Sequence, residues 1–267
     1  MLGAVQGLTE FLPVSSSGHL VVFERLLRFD RPPLLTTVVL HLGTLVATAL
    51  YFRRDLVALA AAAPRVFSRR EGNAPDPEAR LLVLLVVGCV PTAVIGLLFR
   101  DLFERAFSSS IAVGVGFLVS AVILFLTRFA KEEGRRKVEA MTARDALAIG
   151  LAQGVAIAPG VSRSGATISM ALFAGLDREL CGRYSFLLSL PAVLGANCLE
   201  LRHVGDEGWG SVPAIPLAIG ALVSFAVGLL ALRLLLLLVR RGKFFRFSYY
   251  CSAAGVATLA AAFAGLL

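Results

Sequence analysis

The sequence predicts an all-α integral membrane protein with six transmembrane helices plus two re-entrant helical hairpins in an inverted-topology repeat. Its composition sets the class: 57% of the 267 residues are hydrophobic, 16% are charged, and the mean hydropathy is +0.81. These values exclude an ordinary soluble domain. The apolar runs are also too long for the alternating strands of about ten residues that build transmembrane barrels. Two interrupted apolar segments and the distribution of basic residues predict the hairpins and the repeat.

Six apolar stretches are long enough to cross about 30 Å of hydrocarbon. They are Leu34–Phe52, Leu81–Phe99, Ile111–Phe129, Tyr184–Leu201, Val212–Val239 and Phe247–Leu267. Two further segments, Met1–Leu27 and Ala143–Gly175, are apolar at both ends but carry prolines, glycines and polar residues in the middle. Each of these could be a poor span or a hairpin that returns to the side from which it entered.

The basic residues decide between these alternatives. If both segments return, eighteen basic residues share one side of the membrane and six lie on the other. The positive-inside rule makes the first side cytoplasmic, and it explains the net charge of +8 without nucleic acid. Each hairpin then precedes three spans, so the halves, approximately 1–130 and 143–267, are inverted within a single multi-pass membrane domain, 1–267.

The two interruptions are similar in sequence. Tip one (residues 6–20, QGLTEFLPVSSSGHL) contains PVSSSG, and tip two (Pro159–Thr167, PGVSRSGAT) contains PGVSRSG. A Gln-Gly pair precedes each, at Gln6-Gly7 and at Gln153-Gly154. Inverted repeats whose half-helices meet near the midplane place a binding site between the halves. The two tips are therefore expected to form one site.

The polar residues of the tips point to a phosphate ligand. An arginine at bilayer depth costs roughly 2.5–3.5 kcal/mol on insertion scales, so Arg163 requires a role. The N-termini of half-helices offer N–H groups and partial positive charge to anions. Glu10 shares a helix face with Gln6 and needs a partner at this depth, whether a metal, Arg163 or a shared proton. The candidate site residues are Gln6, Glu10, Ser15, Ser16, Ser17 and His19, with Ser162, Arg163, Ser164, Gly165 and Thr167.

Packing alone is a weaker explanation of these residues. A single serine in a membrane helix commonly bonds the carbonyl four residues earlier or a neighbouring helix. Three consecutive serines beside Gly18-His19, opposite a second Ser-Arg-Ser run, favour a site that cleaves a phosphoanhydride, since positioning and charge stabilisation do most of that catalysis. We assign structural or interfacial roles to His41 and His203.

At these residues the chain resembles the undecaprenyl-diphosphate phosphatase family, also called the bacitracin-resistance protein family. The resemblance rests on an (E/Q)xxxE motif at Gln6–Glu10, PVSSSGH at Pro13–His19, PGVSRSGAT at Pro159–Thr167 and SFLLSLP at Ser185–Pro191. It extends over essentially the whole chain. Relatives usually start several residues earlier, whereas only nine residues precede Glu10 here, which predicts a truncated or misassigned start.

The resemblance implies an enzyme of the bacterial inner membrane, surrounded by membrane lipids and often a homodimer. Its substrate would be the C55 isoprenoid lipid diphosphate, whose terminal phosphate is removed to regenerate the carrier for peptidoglycan synthesis. The critical positions would be Glu10, Ser16, His19 and Arg163, with a divalent cation, Mg²⁺ or Ca²⁺, at Glu10. Gln6 stands where many members carry Glu, which leaves one carboxylate for that ion.

In the mechanism we expect, the lipid tail lies between spans and Arg163 clamps the phosphate oxygens. Ser16 is the preferred nucleophile and His19 its base or acid, while attack by water or by His19 stays open. Glu10 either positions the nucleophile or holds the cation. The main rival is a lipid-phosphate transporter or flippase, because broken helices in inverted repeats are common among transporters. A structural scaffold ranks last, since it leaves Arg163 and Glu10 unexplained.

Overall fold

The computed structural model describes residues 1–26, 34–66, 76–130, 136–207 and 213–267, apart from the side chains of residues 24, 34 and 202–207. Within these ranges the chain is helical and has no strand. The helices are α1 Leu2–Phe11, α2 Ser16–Leu26, α3 Leu34–Tyr51, α4 Arg53–Val66, α5 Pro77–Leu98, α6 Arg100–Phe107, α7 Ser110–Leu126, α8 Ala143–Val155, α9 Arg163–Phe173, α10 Arg178–Glu207, α11 Ala214–Arg240 and α12 Phe247–Phe263. Short 3₁₀ helices cover Thr127–Phe129, Val138–Ala140 and Phe244–Arg246.

Four of the described helices, α5, α7, α10 and α11, are long and apolar enough to cross a membrane. Helices α3 and α4 meet at a bend of 73° and add a fifth span if the pair is counted as one. The chain is therefore a multi-pass membrane protein, as predicted. All six predicted spans fall on helices, but α12 has 17 residues, about 26 Å at 1.5 Å per residue. The predicted number of six spans is not confirmed.

Each interrupted segment consists of two short helices separated at the predicted tip. Helices α1 and α2 have 10 and 11 residues, and α8 and α9 have 13 and 11, against about 20 for a span. The break in tip one places Ser15 at a φ of 63°, and the break in tip two places Gly160 at 82°. The left-handed region is uncommon for a residue with a Cβ, so Ser15 is a local strain point that its surroundings must stabilise.

The first half-helix of each pair packs closely on a long helix that is distant from it in the chain, α1 on α11 and α8 on α5. A Cβ at Gly3 would collide with the carbonyl oxygen of Gly220, and a Cβ at Gly150 with that of Gly88. Gly3 and Gly150 lie three residues before the glutamines of the two Gln-Gly pairs. Small residues at these positions let the backbones approach, as in many membrane helix pairs. The half-helices α1 and α8 are therefore packed in the same way.

The predicted cytoplasmic face carries ion pairs between elements. Arg183 on α10 contacts Asp55 on α4 at 2.5 Å and Glu78 on α5 at 3.1 Å. Arg136 contacts Asp145, at the start of α8, at 2.6 Å. Partial burial raises the pKa of Asp145, but hydrogen bonds from Arg136 and Thr142 outweigh it and hold that pKa below its usual value. The segment 53–80, which lies between the first two predicted spans, begins as helix α4, and the charged residues within 67–75 and 131–135 lie outside the described residues.

Candidate active site

Glu10, at the end of α1, is the centre of the candidate site. Its Oε2 accepts hydrogen bonds from Gln6 Nε2 at 3.0 Å and from Ser16 Oγ at 2.7 Å. Its Oε1 forms an ion pair with Nη2 of Arg163. The Glu10 side chain is 9% exposed, and a buried carboxylate requires such compensation. Of the partners considered for Glu10, the structure places Arg163 beside it, which brings the two tips together.

Equivalent caps place Ser16 and Arg163 at this carboxylate. Ser15 Oγ accepts a hydrogen bond from the Gly18 amide at 3.3 Å, and Ser162 Oγ accepts one from the Gly165 amide at 3.1 Å. Side-chain oxygens before a helix commonly satisfy the first free N–H groups in this way. Ser16 and Arg163 are then the first residues of α2 and α9. The two half-helices thus direct their first side chains to Glu10.

The other predicted residues of tip two form hydrogen bonds within that tip and with α10. Thr167 Oγ1 donates to the carbonyl of Arg163 at 2.8 Å and contacts Ser185 Oγ at 2.5 Å. The hydroxyls of Ser164 and Ser162 are 3.3 Å apart. Ser164, Gly165 and Thr167 are buried and, in the part of the chain that the structure describes, do not line the cavity beside Glu10. Their direct contact with a substrate stays a prediction.

His19 takes a position that the sequence did not indicate. Its Nδ1 is 2.8 Å from the Ser15 carbonyl oxygen and its Nε2 is 2.6 Å from the Tyr250 hydroxyl. The ring stacks on Tyr250 and meets Phe117 edge-on, and the residue is 7% exposed. Both ring nitrogens are therefore engaged away from Ser16. The Ser16 hydroxyl is instead bonded to Glu10, so the expected Ser16–His19 pair is not the contact that forms.

A cavity of about 540 Å³ opens beside Glu10, within the size range of small-molecule sites. Polar side chains of both tips line one part of it, namely Glu10, Ser15, Ser16, Ser17, Ser162 and Arg163. Small and apolar residues of α5 and α10 line another part, including Ala93, Gly96, Leu97, Ala192, Val193 and Gly195. Nη1 of Arg163 is buried and has no hydrogen-bond partner among the described residues. The cavity suits an amphiphile with an anionic head and an apolar tail.

Comparison with known proteins agrees with this chemistry. The sequence model of a family described as "Bacitracin resistance protein BacA" matches residues 1–257. The chain belongs to the BacA family. A protein of Rubrobacter xylanophilus named undecaprenyl-diphosphatase is 46% identical over 252 residues, 94% of this chain and 92% of its own. Proteins of the same name from Desulforapulum autotrophicum and Korarchaeum cryptofilum are 42% and 43% identical, and each alignment covers at least 96% of both chains.

His41 belongs to this BacA-family site although we expected it to be structural or interfacial. Its Nε2 is 3.8 Å from Glu10 Oε2, and it lines the cavity. The available signal was a polar stripe on α3, in which Thr37, His41, Thr44 and Thr48 recur at helical spacing. Such a stripe on an apolar helix marks a face turned toward protein or a wet cavity. The side chain of His203 lies outside the described residues.

Two amide side chains of the cavity wall were also missed. Gln153 on α8 and Asn197 on α10 are 2% and 3% exposed. Gln153 Oε1 and Asn197 Nδ2 have no hydrogen-bond partner within the described part of the chain. Gln153 was noticed only as the repeat equivalent of Gln6, and nothing in the sequence singled out Asn197.

The residues around Glu10 fit a cation only in part. Among the described residues, no group of three or more His, Cys, Asp or Glu side chains is placed to hold a metal ion. The Ser16 hydroxyl lies against the Glu10 carboxylate at the cavity. Gln6 turns its Nε2 to Glu10, and its Oε1, buried without a partner among the residues described, does not line that cavity. Mg²⁺ is commonly bound by one or two carboxylates together with substrate phosphates. The site thus fits a cation that arrives with a diphosphate better than one held by protein ligands alone.

Proposed function

We propose that this BacA-family protein is an undecaprenyl-diphosphatase, which hydrolyses undecaprenyl diphosphate to undecaprenyl phosphate and inorganic phosphate. The observation that carries the proposal is the convergence of Ser16 and Arg163, one from each tip, on Glu10 at the edge of an amphiphilic cavity. A nucleophile, a carboxylate and a guanidinium with an unpaired nitrogen are the groups that cleavage of a phosphoanhydride requires. The names of the relatives agree with it.

The shape of the cavity supports the orientation of the substrate. The diphosphate lies against the tips, where the charged and hydroxyl groups are, and the first prenyl units lie along the apolar wall formed by α5 and α10. A tail in the bilayer is already in an apolar solvent, so moving it to this wall removes little surface from water. The apolar wall therefore positions the tail, and the tips supply the polar contacts and the chemistry.

Arg163 binds the phosphoryl group that is transferred. Its Nη2 is held by Glu10, which fixes the guanidinium plane, and Nη1, buried without a hydrogen-bond partner among the described residues, is the donor for a phosphate oxygen. A guanidinium is always charged and donates in a fixed fork, so it stabilises the negative charge of the transition state without reorganising. The side chains of Ser17 and Ser162 line the same part of the cavity and complete the cradle.

Ser16 is the nucleophile. Its Oγ attacks the terminal phosphorus, the bond from that phosphorus to the bridging oxygen breaks, and undecaprenyl phosphate departs. The hydroxyl proton passes to Glu10 Oε2, which is 2.7 Å away and within the range required of a general base. Water then attacks the phosphorus of the phosphoserine, the bond from that phosphorus to Ser16 Oγ breaks, and Glu10 returns its proton to Oγ. Both water protons leave with the phosphate, as dihydrogen phosphate. His19 has no proton-transfer step in this sequence and keeps a positioning role.

A divalent cation, Mg²⁺ or Ca²⁺, accompanies the diphosphate in this proposal, with the Glu10 carboxylate as its ligand from the protein. When bound, it would neutralise charge on the phosphate oxygens. The position of this carboxylate on the cavity wall supports the arrangement.

The membrane arrangement is part of the same proposal. The two interrupted segments are re-entrant hairpins, the remaining apolar helices make six spans, and the halves 1–130 and 143–267 are inverted. The equivalent glycine contacts of α1 and α8 and the short lengths of α1, α2, α8 and α9 support it. In this arrangement the side with eighteen basic residues faces the cytoplasm of a bacterial inner membrane, and the positive-inside rule supports that orientation. A homodimer follows from the family resemblance, and native mass spectrometry from detergent tests it.

The deciding experiment measures phosphate release by the purified protein in detergent with undecaprenyl diphosphate and Mg²⁺ or Ca²⁺. In detergent a transporter has no second compartment, so phosphate release separates hydrolysis from translocation. We expect catalytic release in the wild-type protein. A folded protein that binds the substrate without releasing phosphate would overturn the proposal and favour the transporter.

A further inference from the structure

His19 is bonded at both ring nitrogens, and its two partners come from different halves of the chain. Nδ1 is 2.8 Å from the carbonyl oxygen of Ser15, and Nε2 is 2.6 Å from the hydroxyl of Tyr250 on α12. The rings of His19 and Tyr250 are stacked at 5.6 Å with an interplanar angle of 13°. Tyr250 is thus both the packing partner and the hydrogen-bond partner of this imidazole.

These partners select one tautomer of a neutral ring. A carbonyl oxygen only accepts hydrogen bonds, so Nδ1 carries the proton and donates to Ser15. Nε2 is then the acceptor, and the Tyr250 hydroxyl donates to it. Because the bond at one ring nitrogen sets the protonation of the other, Tyr250 favours the form of His19 that can donate to Ser15.

The hydrogen bond from His19 to the Ser15 carbonyl lies at an unusual point of the backbone. Ser15 has a φ of 63°, in the left-handed region that a residue with a Cβ rarely adopts. Its hydroxyl caps the Gly18 amide, and the next residue, Ser16, contacts Glu10. An imidazole that holds the Ser15 carbonyl therefore stabilises the strained turn from which Ser16 reaches the carboxylate.

A second contact from α12 reaches the same turn. Cys251, the neighbour of Tyr250, donates from Sγ to the carbonyl oxygen of Pro13 at 3.3 Å. Two consecutive residues of α12 thus hold two points of tip one, on either side of Ser15. This contact is independent of the His19 ring.

We propose that Tyr250 is a positioning residue for the reaction: through His19 it holds Ser15 and thereby sets the place of Ser16 at Glu10. The inference rests on the proposed function, since Ser16 is positioned for phosphoryl transfer. It also makes His19 a positioning residue rather than a proton carrier. A helix of the second half thereby controls the nucleophile of the first half.

The kinetic test replaces Tyr250 by Phe, which keeps the stacking ring and removes the donor. Tyr249→Phe is the matched control, because it removes the hydroxyl of the adjacent residue on the same helix, and the two tyrosines are similarly exposed, at 60% for Tyr249 and 50% for Tyr250. We expect Tyr250→Phe to lower kcat for undecaprenyl diphosphate on the order of 10- to 100-fold, the range for a misplaced reacting group. KM should stay unchanged, and Tyr249→Phe should match the wild type. Equal kcat in the two variants would overturn the proposal.

The spectroscopic test follows the ring itself. The chain has three histidines, so ¹⁵N-histidine spectra of the protein in nanodiscs are simple, and loss of one signal in His19→Gln assigns His19. In the wild type we expect His19 to be protonated at Nδ1 and unprotonated at Nε2. In Tyr250→Phe we expect the Nε2 signal to shift. Protonated Nε2 with bare Nδ1 would overturn the inference even if Tyr250→Phe does not fold. If the wild-type protein shows the expected tautomer but no phosphatase activity, the proposed function is wrong, whereas the Tyr250–His19 hydrogen bond is not.

Discussion

Arg163 and Glu10 are 153 positions apart in the chain and form an ion pair that joins the two half-helix tips. Their side chains are 19% and 9% exposed. Either charge alone would be costly in so buried a position. The pair therefore belongs to the fold, since it connects the two tips, and to the candidate site, since both residues line the cavity. Nη1 of Arg163 is buried there without a hydrogen-bond partner among the described residues.

Separate variants can distinguish these two roles. Arg163→Met leaves Glu10 as a buried unpaired carboxylate, so we expect it to cost about 3–5 kcal/mol of stability and to abolish phosphate release. Adding Glu10→Gln removes that carboxylate and should restore most of the lost Tm in detergent, while activity stays absent. A double variant as unstable as Arg163→Met would show that the pair is not the source of the loss.

Ser16→Ala removes the proposed nucleophile but only one hydrogen bond of Glu10. We expect phosphate release to fall by a factor on the order of 10³ or more, with the Tm nearly unchanged. Ser17→Ala, on the same turn, is the matched control and should change mainly KM. Phosphoserine at position 16, trapped by rapid acid quench and located by mass spectrometry, would establish the covalent step, whereas turnover by Ser16→Ala would indicate direct attack by water.

A second carboxylate at position 6 should lower the cation requirement. Gln6→Glu places it one helical turn from Glu10 and should lower the Mg²⁺ or Ca²⁺ concentration that gives half-maximal activity. Gln6→Ala is the control: it removes the amide that donates to Glu10 Oε2 without adding charge, and should leave that concentration nearly unchanged. Both are measured by titrating the cation back after EDTA treatment. If Gln6→Glu needs the same concentration as the wild type, the cation is not held beside Glu10.

The close contact of α8 with α5 can be tested by adding one methyl group. Gly150→Ala would push a Cβ into the carbonyl oxygen of Gly88, so we expect a loss of about 1–3 kcal/mol and a lower Tm. Gly195→Ala on α10 is the control, because a Cβ there meets nothing within 4 Å. It should leave the Tm unchanged or slightly raised, since alanine favours the helix. Equal effects would mean that helix propensity, not contact, is being measured.

The Arg136–Asp145 pair predicts a pH dependence of stability. Because its pKa is lowered in the folded state, the Asp145 carboxyl stabilises the fold above the unfolded pKa, about 3.8. That contribution is lost as the pH falls through the lower folded value. Asp145→Asn should therefore lower the Tm at pH 7, and its difference from the wild type should shrink below about pH 4. A difference independent of pH would mean that the carboxylate charge is not involved.

The membrane class, the helical spans and the positions of the two tips could be predicted from the sequence. These features depend on local properties: the length of an apolar run, a proline or glycine that ends a helix, and serines that cap the next one. Ser15 and Ser162 are examples, since each caps the half-helix that the motif indicated. The number of membrane-capable helices was less predictable, because α3 bends at Phe52 and α12 has 17 residues.

Only the tertiary structure shows which residues of the site contact each other. The sequence alone determined which chemical groups are present: a carboxylate, a guanidinium, serine hydroxyls and an imidazole, all in helix breaks. Only the fold decided that Ser16 contacts Glu10 rather than His19, that His19 contacts Tyr250, and that His41 approaches the carboxylate. These contacts depend on the glycines that let α1 pack closely on α11 and α8 on α5. They also depend on the residues of α12 that contact tip one. Such contacts join residues far apart in the chain, and no local pattern encodes them.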